Sequence, residues 1–273
     1  MANCCLGWPT WELPLGLYTP TVSGGSFSAS LPASNVLDKR LGVVARSSDA
    51  LEASTQIIFD LKAARAVGVL AIVGHNLSAA ATVQWLGGTT SGGSEVYAGA
   101  ATAVSFSAAT LEDMVGINFP AIQIPATPQT ARYWTMKVVD TANTDGYVQI
   151  GRVCVCGIYQ PTVNMLVGAT TRLSTATEGK DTDGGATIWN AKAIRRHHDF
   201  TLDDLNEADA QTKLWKMQRL LGKHGQLVWV FDTADTTYLH ERSFLATLEE
   251  LGGLEYPYVI ARTRVPLRVQ EVL

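Results

Sequence analysis

"STQIIFDLKAARAVGVLAIVGHN", residues 54–76, decides the fold. Its first part alternates, placing Ile57, Phe59 and Leu61 on one face of an extended chain. Its second part, "AVGVLAIVG" (66–74), is an unbroken apolar run of strand length, the pattern of a strand covered on both faces. Two strands in close succession, one half-buried and one fully buried, point to stacked sheets. The surrounding chain repeats the theme. "ATVQWLG" (81–87) puts Val83 and Trp85 together, and "ARYWTMKVVD" (131–140) aligns Trp134, Met136 and Val138. "TANTDGY" (141–147) carries Asp145-Gly146, a strong hairpin signal. Many short strands between regular turn signals predict a β-sandwich over 20–162.

"YVQIGRVCVCGIY" (147–159) closes that region and holds two of the four cysteines; the other two are Cys4 and Cys5. With period two, Val148, Ile150, Cys154, Cys156 and Ile158 share one face with Arg152. Tyr147, Gln149, Val153 and Val155 take the other. Same-face residues two apart are separated by about 6.6–6.8 Å, too far for easy chelation and near the upper limit for a disulfide. Zinc needs four ligands at about 2.3 Å, and no CxxC occurs. The expected state is buried, reduced thiol.

Residues 1–19 read as an arm, in which Trp8, Pro9, Trp11 and Pro14 oppose a regular helix. The two tryptophans either strap their own core or dock on a neighbour. Residues 163–273 differ from the sandwich. "TEGKDTDGGATIW" (177–189) is a turn-rich break, lacking calcium-loop spacing, before a strand at about 186–196. "TLDDLNEADAQTKLWKMQRLLGKHG" (201–225) predicts a helix over about 205–222. Ala210, Leu214, Met217 and Leu221 form its apolar face, Asp204 and Glu207 resemble a capping box, and Gly222 or Gly225 ends it. Further strands follow. In "YVIARTRVPLRVQEV" (258–272), Val259, Ala261, Thr263, Val265, Leu267 and Val269 share a face, and Arg262, Arg264 and Arg268 share the other. This half is a β-sheet with one packed helix.

The 273 residues carry a formal charge of −4, with 47% hydrophobic and only 17% charged residues. That balance gives no basic footprint for nucleic acid. No apolar run is long enough to span a membrane. The N-terminus lacks a signal-peptide pattern, so a cytoplasmic site of synthesis is expected. No nucleophile elbow, phosphate loop, zinc-protease or dinucleotide motif occurs, which points away from an enzyme and from a cofactor. In "RRHHDF" (195–200) an extended chain sends His197 and His198 to opposite faces, so they cannot share a metal. They are read as polar surface or subunit contact.

"PASNVLDKRLGVVARSSD" (32–49), "TQIIFDLKAARAVGVLAIVGHNLS" (55–78) and "ARYWTMKVVDTANTDGYVQIGRVCVCG" (131–157) together resemble a galactose-binding-like, discoidin-type jelly roll. The resemblance lies in the order of an early N-x-x-D turn (Asn35, Asp38), a strand ending "FDL", the following strand running to Gly74 and Asn76, and a last strand ending at Gly157. With "SGGSFSASLPASNVLD" in front, the sandwich is similar to proteins from the tail-tip gene clusters of long-tailed bacteriophages. The second half resembles the tail-tube fold of tube, distal-tail and hub proteins. The resemblance implies a mainly β, two-domain structural protein of the virion tail, assembled in the host cytoplasm. It would form a homo-oligomeric ring near the tail tip between tube and tip or hub proteins. Trp8, Trp11, Arg195, Arg196, Arg262, Arg264 and Arg268 are then candidate subunit or lumen contacts. The alternative it implies is a carbohydrate-binding module for a cell-surface glycan, with Trp85, Arg46 and Asp49 as candidate contacts. Trp85 also reads as core, since it alternates with Val83.

Overall fold

The computed structural model describes residues 3–9, 11, 18–104, 119–257 and 262–273. Pro14 of the arm, and Val259 and Ala261 of the final segment, lie outside the described residues. The chain is mainly β. In the first half the strands are β1 (Cys5–Pro9), β2 (Thr21–Ser23), β3 (Ala45–Arg46), β4 (Ile57–Val67), β5 (Val69–His75), β6 (Thr82–Gly88), β7 (Tyr97–Ala98), β8 (Thr102–Ala103), β9 (Ala121–Gln123), β10 (Gln129–Val139) and β11 (Gln149–Tyr159). The second half adds β12 (Thr170–Thr175), β13 (Glu178–Asp181), β14 (Thr187–Asn190), β15 (Ile194–Asn206), β16 (Gln226–Val230), β17 (Phe244–Glu250) and β18 (Arg262–Glu271).

Among the described residues these strands form two large antiparallel sheets and one isolated hairpin. One sheet runs β2–β4–β10–β6–β7, with β8 beside β6. The other runs β12–β15–β18–β17–β16–β1–β11–β5–β9, with β3 beside β11. From β4 to β11 the chain passes repeatedly between the sheets, as in a jelly roll. The alternation at 57–61 turns Ile57, Phe59 and Leu61 inward, and the apolar run becomes β5. Between the sheets these side chains pack with Leu70, Ile72, Val83, Trp85, Trp134, Met136, Val153 and Val155.

Asp145-Gly146 does not close a hairpin. β10 and β11 lie in opposite sheets, and the turn carries the chain across the sandwich. Gly146 has φ +75°, the left-handed conformation that this turn requires. The cysteine strand, between β5 and β1, is buried on both faces because a separate hydrophobic cluster covers each. Val153 and Val155 enter the sandwich core. Cys154 and Cys156 join Cys5, Val69, Ala71, Val228 and Val230 in a separate cluster. All four cysteines are buried and none forms a disulfide.

The arm supplies a central strand. β1 pairs antiparallel with β11, Leu6 opposite Tyr159, and with β16, Leu6 opposite Trp229. It therefore joins the sheets of the two halves into one. Trp8 packs against the second core and Trp11 against the sandwich core, so both brace their own chain. Gly7 is needed here for close approach: a Cβ on it would lie 2.9 Å from that of Val69.

The second core contains Phe200, Leu202, Leu205, Leu227, Trp229, Phe244, Leu248, Val265, Leu267 and Val269. The helix over 207–221 covers it with Ala210, Leu214, Met217 and Leu221, each fully buried, as the spacing predicts. Its middle, Ala210–Trp215, is π-helical. The start differs from the capping box. β15 extends to Asn206, whose Oδ1 accepts from the Ala208 N–H at 2.8 Å and caps the helix. Asp204 instead occupies a left-handed position (φ +54°) where the β15–β18 register slips. The strand bulge takes up Asp204, and Glu207 opens the helix.

Candidate functional site

The sandwich-end loops gather polar groups around one aromatic ring. β3 pairs with the start of β11, bringing Arg46 opposite Gln149. The Arg46 guanidinium lies 4.2 Å from the centre of the Tyr147 ring, and its Nη2 donates to Gln149 Oε1 at 2.8 Å. Asn76, just beyond β5, ties the loops together. It accepts from the Gln149 N–H at 2.7 Å and donates to Asp145 Oδ2 at 2.8 Å and to the Tyr147 carbonyl at 3.1 Å. A cation stacked on a half-buried ring beside hydrogen-bonding groups can grip a flat polar ligand.

Asp49 has a structural task in the same region. It accepts from the Leu51 N–H and from Ser54 Oγ, both at 2.8 Å, and organises the short helix Glu52–Thr55. These bonds, the Leu51 amide first, hold its carboxyl below the usual range. Trp85 is 1% exposed and belongs to the sandwich core. Its edge borders a groove of about 390 Å³ lined also by Val104, Ile122, Asp235 and His240, which Arg46 and Asp49 do not line. The structure thus brings Arg46 and Tyr147 together and leaves Trp85 in another place. Tyr147 is not legible as a contact from the sequence, where alternation says only that it lies on the strand face opposite the cysteines.

The arginines of β18 alternate outward as predicted, and carboxylates of the same chain meet them. Arg262 approaches Asp204 at 3.3 Å and Arg264 reaches Asp203 at 3.0 Å. Arg268 lies 3.1 Å from Glu250 and 4.0 Å from Asp199. Arg172 of β12 continues this surface row to Asp199 and Glu249, at 3.5 and 2.7 Å. The solvent-exposed members of this row contribute little each, because water and salt screen them, whereas Asp203 is buried.

The "RRHH" segment is mostly interior, contrary to its reading as polar surface. Arg195 is exposed. Arg196 is 7% exposed, bonded by Glu271 through both its backbone N–H and its guanidinium, and donates to the Glu241 carbonyl at 2.6 Å. His197 and His198 do point to opposite faces. His197 meets Ser174 and Glu249. His198 lies among Phe200, Trp229 and Phe231 at ring-centre distances of 5.4, 5.0 and 5.4 Å. Burial lowers its pKa to about 4. The reason is that both faces are covered here: His198 lies against the second core beside Phe200 and Trp229, and His197 is covered by Ser174 and Glu249.

"DTDGG" forms the turn of the β13–β14 hairpin, closed by Thr182 N–H to the Ala186 carbonyl at 2.8 Å. This hairpin prolongs the β12–β15 pair beyond the sheet, and every residue of β13 and β14 is exposed. Among the described residues, no three His, Cys, Asp or Glu side chains gather so as to hold a metal ion. No described helix is long and apolar enough to cross a membrane.

No protein-family profile matches the chain, and no curated protein does. Among solved structures, the chain is similar to the family 32 carbohydrate-binding module of NanJ from C. perfringens, solved with galactose. Identity is 20% and the TM-score 0.38, over 56% of this chain and 99% of that one. It is also similar to a family 32 module from a family 31 glycoside hydrolase of Clostridium perfringens, at 13% identity and TM-score 0.33, over 54% of this chain and 97% of that one. A third is a family 32 module produced by the same organism, solved with GlcNAc-α-1,4-galactose. It shows 17% identity and TM-score 0.31, over 50% of this chain and 90% of that one.

Proposed function

We propose that the chain is a non-enzymatic assembly protein that associates with further copies of itself. The observation that carries this reading is the apolar surface along the β12–β15 projection. Leu173, Ile188, Trp189 and Ile194, which follow one another along it, are each more than half exposed. Clustered exposed apolar groups mark interaction surfaces. The surface arginines of β18 are neutralised within the chain, which leaves the projection as the uncompensated feature. The finer reading is a ring at the tail tip of a long-tailed phage, between tube and tip or hub proteins in the virion. That placement rests on the order of the sequence motifs. A head-to-tail contact that closes would generate the ring. Negative-stain imaging over a concentration series tests it: closed rings are expected, and monomers at every concentration would overturn self-association.

A second reading is recognition of a cell-surface carbohydrate at the sandwich end. The Arg46–Tyr147 stack, flanked by Gln149, Asn76 and Asp145, favours it. Saturable binding on a glycan array, lost in Tyr147→Ala with the fold intact, is the expected result; no binding to any glycan would sink it.

A further inference from the structure

The β13–β14 hairpin ends in two unlike edges. β13 carries Glu178, Lys180 and Asp181, whereas β14, Thr-Ile-Trp-Asn, has no charge and no proline. Charges and prolines are the usual guards of a free strand edge. Among the described residues neither strand pairs with anything but the other. Ile188 and Trp189 are 65% and 66% exposed, on opposite faces of β14. Trp189 covers Gly179 across the hairpin, where a Cβ would lie 2.9 Å from its ring. The tip is therefore ordered against itself, yet one edge keeps outward N–H and C=O groups between apolar side chains.

We infer that β14 pairs antiparallel with β14 of a second copy, tip to tip, making a four-stranded sheet. This rests on the self-association reading above and names its contact. The register follows from chemistry. A two-fold axis at Ile188 sets Ile188 opposite Ile188 of the other copy on one face and Thr187 opposite Trp189 on the other, so one face gains an apolar pair and the other two aromatic–β-branched pairs, favourable cross-strand combinations. The same operation on β13, with the axis at Lys180, would set Lys180 against Lys180, like charge opposite like charge, which opposes pairing. The two-fold contact is self-complementary and adds to any head-to-tail ring contact.

Sedimentation velocity of the full chain over a concentration series tests the inference, with Ile188→Lys as the variant. A spin label on Thr187→Cys is accessible there, because the native thiols are buried. The expected result is association weakened at least about tenfold in Ile188→Lys, unchanged circular dichroism, and a short label-to-label distance in the parent. Oligomers of undiminished affinity in Ile188→Lys would overturn the tip contact and leave self-association standing. A parent that stays monomeric would overturn both.

Discussion

His198 shows what burial does to a single side chain. Its ring is packed among Phe200, Trp229 and Phe231, and its Nδ1 lies 3.0 Å from Thr171 Oγ1. Desolvation lowers its pKa from 6.5 to about 4, against the smaller pull of Asp199. Between those values the unfolded chain binds the extra proton and the folded one does not. This contribution to stability is therefore complete above pH 6.5 and is lost as pH falls toward 4. Urea midpoints measured between neutral pH and about pH 4.5 should fall with pH, and His198→Phe should flatten the fall. The thiols make a second case. Burial pushes Cys4 up to about 12 and Cys5 upward too. Ellman's reagent should find almost no reactive thiol in the native protein and all four after denaturation; rapid native labelling would contradict their burial. Trp85, core rather than contact, should cost about 3–5 kcal/mol as Trp85→Ala in chemical denaturation.

At the scale of elements, periodicity was a good guide wherever partners are close or a single face is buried. The four apolar residues of the 207–221 helix, the outward arginines of β18 and the alternation of β4 could all be read directly. β1 could not. Cys-Leu-Gly-Trp-Pro has no alternation to read, and its partners lie far along the chain, at Tyr159 and Trp229. Pro9, which opposes a regular helix, sits beyond the β16 pairing, which stops at Gly7, so β1 is locally an edge there and a proline is tolerated. Asp145-Gly146 misled for a related reason: a local turn signal does not say which sheet receives the next strand. Of the candidate site, Arg46 was found but its aromatic partner Tyr147 was not, since the stack depends on β3 reaching across to β11. The importance of β1 makes Gly7→Val a sharp test. Its new side chain would press on Val69 and Cys156. A loss of about 1–3 kcal/mol is expected in denaturant titration, and an unchanged midpoint would mean that β1 holds little.

At the scale of the whole molecule, the long sheet makes the two halves mechanically continuous. Three buried clusters draw on its strands, and β1 sits between the β11 and β16 edges. Differential scanning calorimetry should therefore show one cooperative transition for the full chain; two well-separated peaks would show that the halves unfold independently. The same strand carries a consequence for biogenesis. β1 leaves the ribosome well before either of its neighbours has been translated, and its place between them exists only after Trp229 has been made. Long-range pairings of this kind form slowly and leave strands open to wrong partners meanwhile. The sandwich can fold early, but the sheet that unites the molecule must wait, because β1 is made long before β16, one of the two strands that flank it.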